Sequence, residues 1–117
     1  MKRDSDLIRT LLLKYEAAEE WLIPHIITLD ASYEHSREYY HLNLMIDDGL
    51  LVKISDDCCR MTSAGHDFTD VIRDEGLWNE TKKVVAETGG NAAISVLKAI
   101  AIGFLKKKIK DHTEIEI

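Results

Sequence analysis

The stretch that most constrains this chain is LLVKISDDCCRMTSAGHDF, residues 50–68. Two β-prone runs, 50–55 and 58–62, flank the polar dipeptide Asp56-Asp57. Two such runs with a two-residue connection predict a tight hairpin. Asp-Asp is a weaker turn signal than Asn-Gly and admits a slightly longer loop. Thr62 is a good N-cap, and Phe68, Val71 and Ile72 follow at helical spacing, so the hairpin feeds directly into a helix from about Ser63 to Asp74. A hairpin in this position is the wing of a winged helix-turn-helix. Its tip, however, carries two carboxylates where a DNA-binding wing carries Lys or Arg.

The flanking sequence extends that pattern. Leu7, Leu11, Tyr15, Ala18 and Leu22, with Ile8 and Leu12 beside them, predict a first helix over about 4–20, and Asp4 and Asp6 suit its first turn. Pro24 stops any continuation. The β-branched run HIITLD, 25–30, predicts an edge strand. A second helix follows within 31–49, capped by Ser36 or Ser32, with Leu42, Met45 and Ile46 inward and Gly49 as its terminator. After a break at Glu75-Gly76, a helix is expected over Leu77–Thr88, ended by Gly89-Gly90. A last helix covers Ala92 to about Lys110, and the tail 111–117 is frayed or a short strand. The expected fold is therefore mainly α (α+β): a single winged helix-turn-helix domain with a core over 1–74, a small β-hairpin wing, and a C-terminal helical extension over 75–110. The second helix of the usual trio is short or degenerate.

Charge bears on the partner. The 117 residues carry a formal net charge of −6, which repels nucleic acid and anionic membranes at long range. The segment expected to meet DNA is itself acidic, with Arg37, Lys53 and Arg60 set against Glu34, Glu38, Asp47, Asp48, Asp56 and Asp57. The two cysteines, Cys58 and Cys59, are adjacent and read as reduced thiols of a cytoplasmic protein. MKRDSDLIR does not read as a signal peptide, and no apolar run of the sequence is long enough to be expected to span a bilayer.

MKRDSDLIR, YYHLNLMIDDGLL and MTSAGHDFTDVIRDEGLWNETKK together resemble a family of small bacterial and prophage proteins of unknown function with an expected winged-helix fold. The resemblance runs from Met1 to KKKIK near the end. Its most specific part is Gly65 to Trp78, and HIITLD and the hairpin tip match least. It implies a fold and a prophage setting, but no activity, cofactor or catalytic residue. More loosely, DDGLLVKI and RMTSAG are similar to the wing segment of bacterial regulators of the multiple-antibiotic-resistance type. That is a likeness of fold, which does not confer function.

Site chemistry offers little for an enzyme. His66-Asp67 could relay a proton or hold a metal, but it reads better as a helix start, with Met61 stapled onto His66 and Asp67 near the positive end of the dipole. Cys58 and Cys59 point to opposite faces of one strand and cannot easily share a metal ion. Ser63 near His66 lacks a nucleophile elbow, and there is no glycine-rich phosphate loop. The expectation is no enzyme, no metal and no cofactor.

The binding candidates are Arg37, Tyr40, His41, Asn43 and Leu44 on the helix 36–48 as the recognition face. Arg would read guanine and Asn adenine, with Tyr reaching phosphate. Lys53 and Arg60 on the wing and the run Lys106, Lys107, Lys108 would supply phosphate contacts, although a lysine run at a helix C-terminus also suits the dipole. In AISVLKAIAIGFL, 93–105, Ile94, Leu97, Ala101, Phe104 and Leu105 form a stripe on a helix that is apolar over much of its circumference. Such a helix buries two faces, and the second fits a homodimer interface. The leading expectation is a prophage-type DNA-binding transcription regulator acting as a dimer, with no membrane partner. The alternative is a winged-helix module for protein–protein interaction that does not bind DNA.

Overall fold

Asp4 starts the first helix as its N-cap, accepting the backbone N–H groups of Asp6 at 3.0 Å and Leu7 at 3.1 Å. The computed structural model describes residues 1–87 and 93–113. The expected end at Gly89-Gly90 and the last four residues of the tail lie outside the described residues. The chain is mainly helical with one small three-stranded antiparallel sheet, an α+β fold. It divides into two compact units, Met1–Thr69 and Asp70–Ile117.

In the first unit, α1 (Ser5–Ala17) ends three residues earlier than its pattern predicts, because Ala18 is already extended. Its buried stripe is Ile8, Leu11 and Leu12, so the inward face is centred one position beyond the expected Leu7. The edge strand is also displaced. β1 is Leu22–Pro24, and HIITLD is not a strand. Pro24 closes the strand rather than preceding it, which the open edge of a sheet tolerates because no ladder N–H is lost there.

α2 (Tyr33–Asp47) is capped by Ser32, whose Oγ accepts from the backbone N–H of His35 at 3.1 Å. It ends in a Schellman motif: Leu50 N–H donates to Met45 O at 2.9 Å and Gly49 N–H to Ile46 O at 3.1 Å. Gly49 has φ +78° there, a conformation that costs glycine little. The inward face of α2 holds His41, Leu42 and Met45, so a histidine takes the place expected for Ile46.

β2 (Leu51–Ser55) and β3 (Cys58–Met61) form the expected hairpin, closed by Asp56-Asp57. The register slips by one residue between Lys53 and Ser55. This bulge at Ile54 is how the ladder accommodates an imperfect turn sequence. β3 lies in the middle of the sheet, with strand order β1-β3-β2.

α3 (Ser63–Ile72) begins where Thr62 Oγ1 accepts Gly65 N–H at 3.0 Å and donates to Gly49 O at 2.6 Å. Gly65 is a close-approach glycine, since a Cβ there would lie 2.2 Å from the Leu50 carbonyl oxygen. The core of this unit includes Ile8, Leu12, Ile23, Met45, Leu51 and Phe68.

In the second unit, α4 (Glu75–Glu87) packs on α5 (Ile94–Thr113). The break falls at Arg73-Asp74, two residues before the expected Glu75-Gly76. Asp74 Oδ1 caps α4 through Leu77 N–H at 3.0 Å. Leu77, Trp78, Thr81 and Val85 are buried on α4, and Ile94, Leu97 and Ala101 on α5.

Candidate functional site

The structure turns much of the expected recognition face back into the protein. Arg37 is half-buried and ion-paired to Asp4. His41 is fully buried. Its Nε2 accepts Asp4 N–H at 2.9 Å, and its Nδ1 lies 2.8 Å from Arg37 O. A backbone donor on one side and a carbonyl on the other set the tautomer, with the proton on Nδ1. Asn43 Oδ1 meets Nε2 of His25 at 2.8 Å. His25 is itself buried and stacked on Tyr39 at 4.6 Å. Leu44 is half-buried, and Tyr40 is the one residue of the five classed as exposed.

The basic candidates lie in different places. Lys53 and Arg60 are exposed on the hairpin, and Arg60 Nη1 donates to its neighbouring Met61 carbonyl at 3.1 Å. Lys106, Lys107 and Lys108 are exposed on α5, and Lys108 Nζ pairs with Asp74 Oδ2 at 2.6 Å. The pair holds the Asp74 carboxyl below its ordinary range, because the lysine hydrogen-bonds the anion and Leu77 N–H does so too. On the expected dimer stripe, Ile94, Leu97 and Ala101 are buried within the single chain, whereas Phe104 and Leu105 are half-buried.

The positions weighed for catalysis stay apart or exposed. Ser63, His66 and Asp67 are exposed. Cys59 is buried and Cys58 half-buried, as their opposite strand faces require. Burial, with Cys58 adding to it, pushes the Cys59 thiol up to about 11. Among the described residues, no group of three or more His, Cys, Asp or Glu is placed to hold a metal ion. No described helix is long and apolar enough to cross a membrane.

The feature that sequence reasoning missed is a groove between α1, β1 and α2. It encloses about 380 Å³ and is lined by Tyr15, Leu22, Pro24, Ile26, Glu38 and Leu42 among others. One wall is a polar triplet: Tyr15 Oη donates to Glu38 Oε1, and Lys14 Nζ lies 3.3 Å from the same oxygen. Burial pushes the Glu38 carboxyl up, but the Tyr15 hydrogen bond and the Lys14 charge outweigh it, and the net displacement is downward. The Tyr15 hydroxyl moves strongly upward, first by burial and then by the Glu38 carboxylate.

Beyond the groove, the chain from Ile26 to Tyr33 leaves Ile26, Ile27, Leu29 and Tyr33 exposed, Leu29 fully so. The signal was present as HIITLD. Its apolar residues belong to no strand, so they lie on the surface. Charge is equally uneven. Residues 1–69 hold seven Lys or Arg and thirteen Asp or Glu, whereas residues 70–117 hold eight of each. The whole net negative charge thus belongs to the unit that carries the sheet.

These features define a small α+β protein whose sheet-bearing unit is acidic and carries a groove. Residues 2–91 match the family described as "Hypothetical protein (DUF2513)", and the chain belongs to that family. It is similar to a Haemophilus influenzae protein named "Uncharacterized protein", 29% identical over 112 residues, covering 86% of this chain and 92% of that one. No solved structure matches the chain.

Proposed function

We propose that this protein is a winged-helix module that binds a protein partner through the α1–β1–α2 groove and its Ile26–Tyr33 lip. The winged-helix reading is supported by the order helix, strand, helix, hairpin and by the sheet order β1-β3-β2. Residues 25–32 stand where the short second helix of the usual trio would be. The observation that carries the protein-binding reading is a contrast on α2. Arg37, His41 and Asn43 are engaged by Asp4 and His25, while the apolar side chains of the lip face water. Contiguous exposed apolar surface rimmed by polar groups marks interaction sites.

A DNA-binding regulator is the second reading, favoured by the exposed Lys53 and Arg60 on the hairpin. With Asp56-Asp57 at the tip, it would bind DNA weakly and with strong salt dependence.

The test is a pull-down with the full chain, with and without nuclease, at low and moderate salt. It compares wild type with Ile26→Asp and with the Lys53→Glu/Arg60→Glu double variant. A protein that survives nuclease and is lost only with Ile26→Asp supports the proposal. Captured DNA that is lost with the double variant, and unaffected by Ile26→Asp, contradicts it.

A further inference from the structure

The open edge of β1 has an unusual hydrogen-bond inventory. His25 N–H donates to Asp57 O at 2.9 Å, and Ile23 pairs with Cys59. In an antiparallel ladder the bonded residues alternate, so Ile23 and His25 face β3 while Leu22 and Pro24 turn their backbone groups to the open side. Pro24 has no N–H. The Leu22 N–H is taken by Glu20 Oε1 at 3.3 Å. Two residues further along, Ile26 O is met by His35 Nε2 of α2 at 2.7 Å, which places this carbonyl row on the α2 side, where Leu22 and Pro24 line the groove. At Leu22 and Pro24 the edge therefore offers carbonyl acceptors and no free N–H.

The side chains around it repeat that bias. Glu20 and Glu38 line the groove. Lys14 is the lysine in the lining, and it is paired to Glu38. Tyr15, His35 and Tyr39 are its other polar side chains, and the remainder is apolar, including Ala18, Ile23, Ile26 and Leu42. An apolar groove with carbonyl acceptors along its β1 edge, and with two carboxylates against one lysine, is complementary to a ligand that brings apolar bulk together with positively charged donors. It opposes an acidic segment and a phosphate backbone alike.

We infer that the groove docks a segment of the partner protein in which an aliphatic or aromatic anchor is flanked by Lys or Arg. The anchor fills the apolar floor between Ile26 and Leu42, and the flanking cations meet Glu20, Glu38 and the Leu22 and Pro24 carbonyls. Arginine suits the site best, because its fork of donors serves a carboxylate and a carbonyl together. This rests on the protein-binding reading above and adds the chemistry of the partner.

The test uses short synthetic peptides with a central Leu-Trp anchor flanked by Arg, by citrulline or by Glu, and fluorescence anisotropy with the full chain. The variant is Glu20→Gln/Glu38→Gln, in which each Gln retains an oxygen to accept from Leu22 N–H and Tyr15 Oη. Ile26→Asp, at an exposed position, is the second variant. The Arg peptide binds, weakens as salt rises, and loses about ten-fold or more in affinity with the double Gln variant, as expected for lost charge-assisted bonds. The citrulline peptide binds more weakly than the Arg peptide, and the Glu peptide does not bind. The inference is overturned if no peptide binds, if Arg and Glu peptides bind alike, or if neither variant alters binding. If Ile26→Asp abolishes capture of a partner whose docking segment proves acidic or uncharged, this inference fails and the protein-binding reading stands. If Ile26→Asp leaves capture unchanged, both fail.

Discussion

The backbone N–H of Asp4 donates to Nε2 of the buried His41 at 2.9 Å. One residue thus joins the start of α1 to the middle of α2, while the Asp4 carboxylate pairs with Arg37 one turn earlier on the same helix. Replacing His41 with Phe keeps a ring of similar shape but leaves the half-buried Asp4 N–H without its acceptor. The expected cost is about 1–3 kcal/mol, read as a lower urea midpoint with an unchanged slope. An unchanged midpoint would mean that the ring does not tie the two helices together.

The Tyr15–Glu38 pair predicts a stability plateau with two edges. The folded Glu38 carboxyl lies below its ordinary 4.5. Its contribution is complete above that value and is lost as pH falls through the depressed folded value. The folded Tyr15 hydroxyl lies above its ordinary 10.0, so its contribution is complete below that value and declines as pH rises past it. Melting temperature measured against pH should fall at both ends, and Tyr15→Phe should reduce the decline above 10.0, while the part that begins near 9.0 belongs to Cys59, whose thiol is also raised. An alkaline decline identical to that of the wild type would show that Tyr15 does not contribute to it.

Gly65→Ala reverses an ordinary rule. Alanine in a helix interior normally gains about 1 kcal/mol over glycine. Here the added Cβ would lie 2.2 Å from the Leu50 carbonyl oxygen and 2.7 Å from Met61 Cγ. The methionine can move, but the carbonyl is held by Thr62 N–H at 2.9 Å. The substitution should destabilise by about 1–3 kcal/mol, measured by chemical denaturation. A stabilised variant would contradict this close approach of α3 to the hairpin.

The neighbouring thiols should differ in reactivity. Cys58 is half-buried, whereas Cys59 is buried with its thiol pushed up to about 11. Since the thiolate is the nucleophile, iodoacetamide at neutral pH should label Cys58 and spare Cys59 until the chain is unfolded. Peptide mass spectrometry reads this directly, and equal labelling of the native protein would place Cys59 at the surface.

What the sequence made legible follows from local signals. The hairpin, its Asp56-Asp57 turn, the Thr62 cap and the Gly49 terminator all rest on interactions within a few residues, and each falls where those signals put it. The edge strand did not, because β-branched residues in HIITLD carry no information about which residues find a partner strand. Leu22–Pro24 pairs with β3, and that is a long-range outcome.

The recognition face misled for a related reason. Arg37, His41 and Asn43 share a helix face with the right donors and acceptors for bases, but a single helix does not reveal that Asp4 and His25 will reach them first. The groove was invisible for the same cause. Tyr15 and Glu38 lie on different helices and meet only through tertiary packing.

The most direct measurement of the central claim is site-specific photocrosslinking in cells. A benzophenone side chain is placed at Ile26 on the groove lip and, in a second protein, at Lys53 on the hairpin. Ile26 should give a discrete protein adduct and Lys53 little, with the Ile26 adduct reduced by Glu20→Gln/Glu38→Gln. Nucleic-acid adducts from Lys53, with no protein adduct from Ile26, would contradict it.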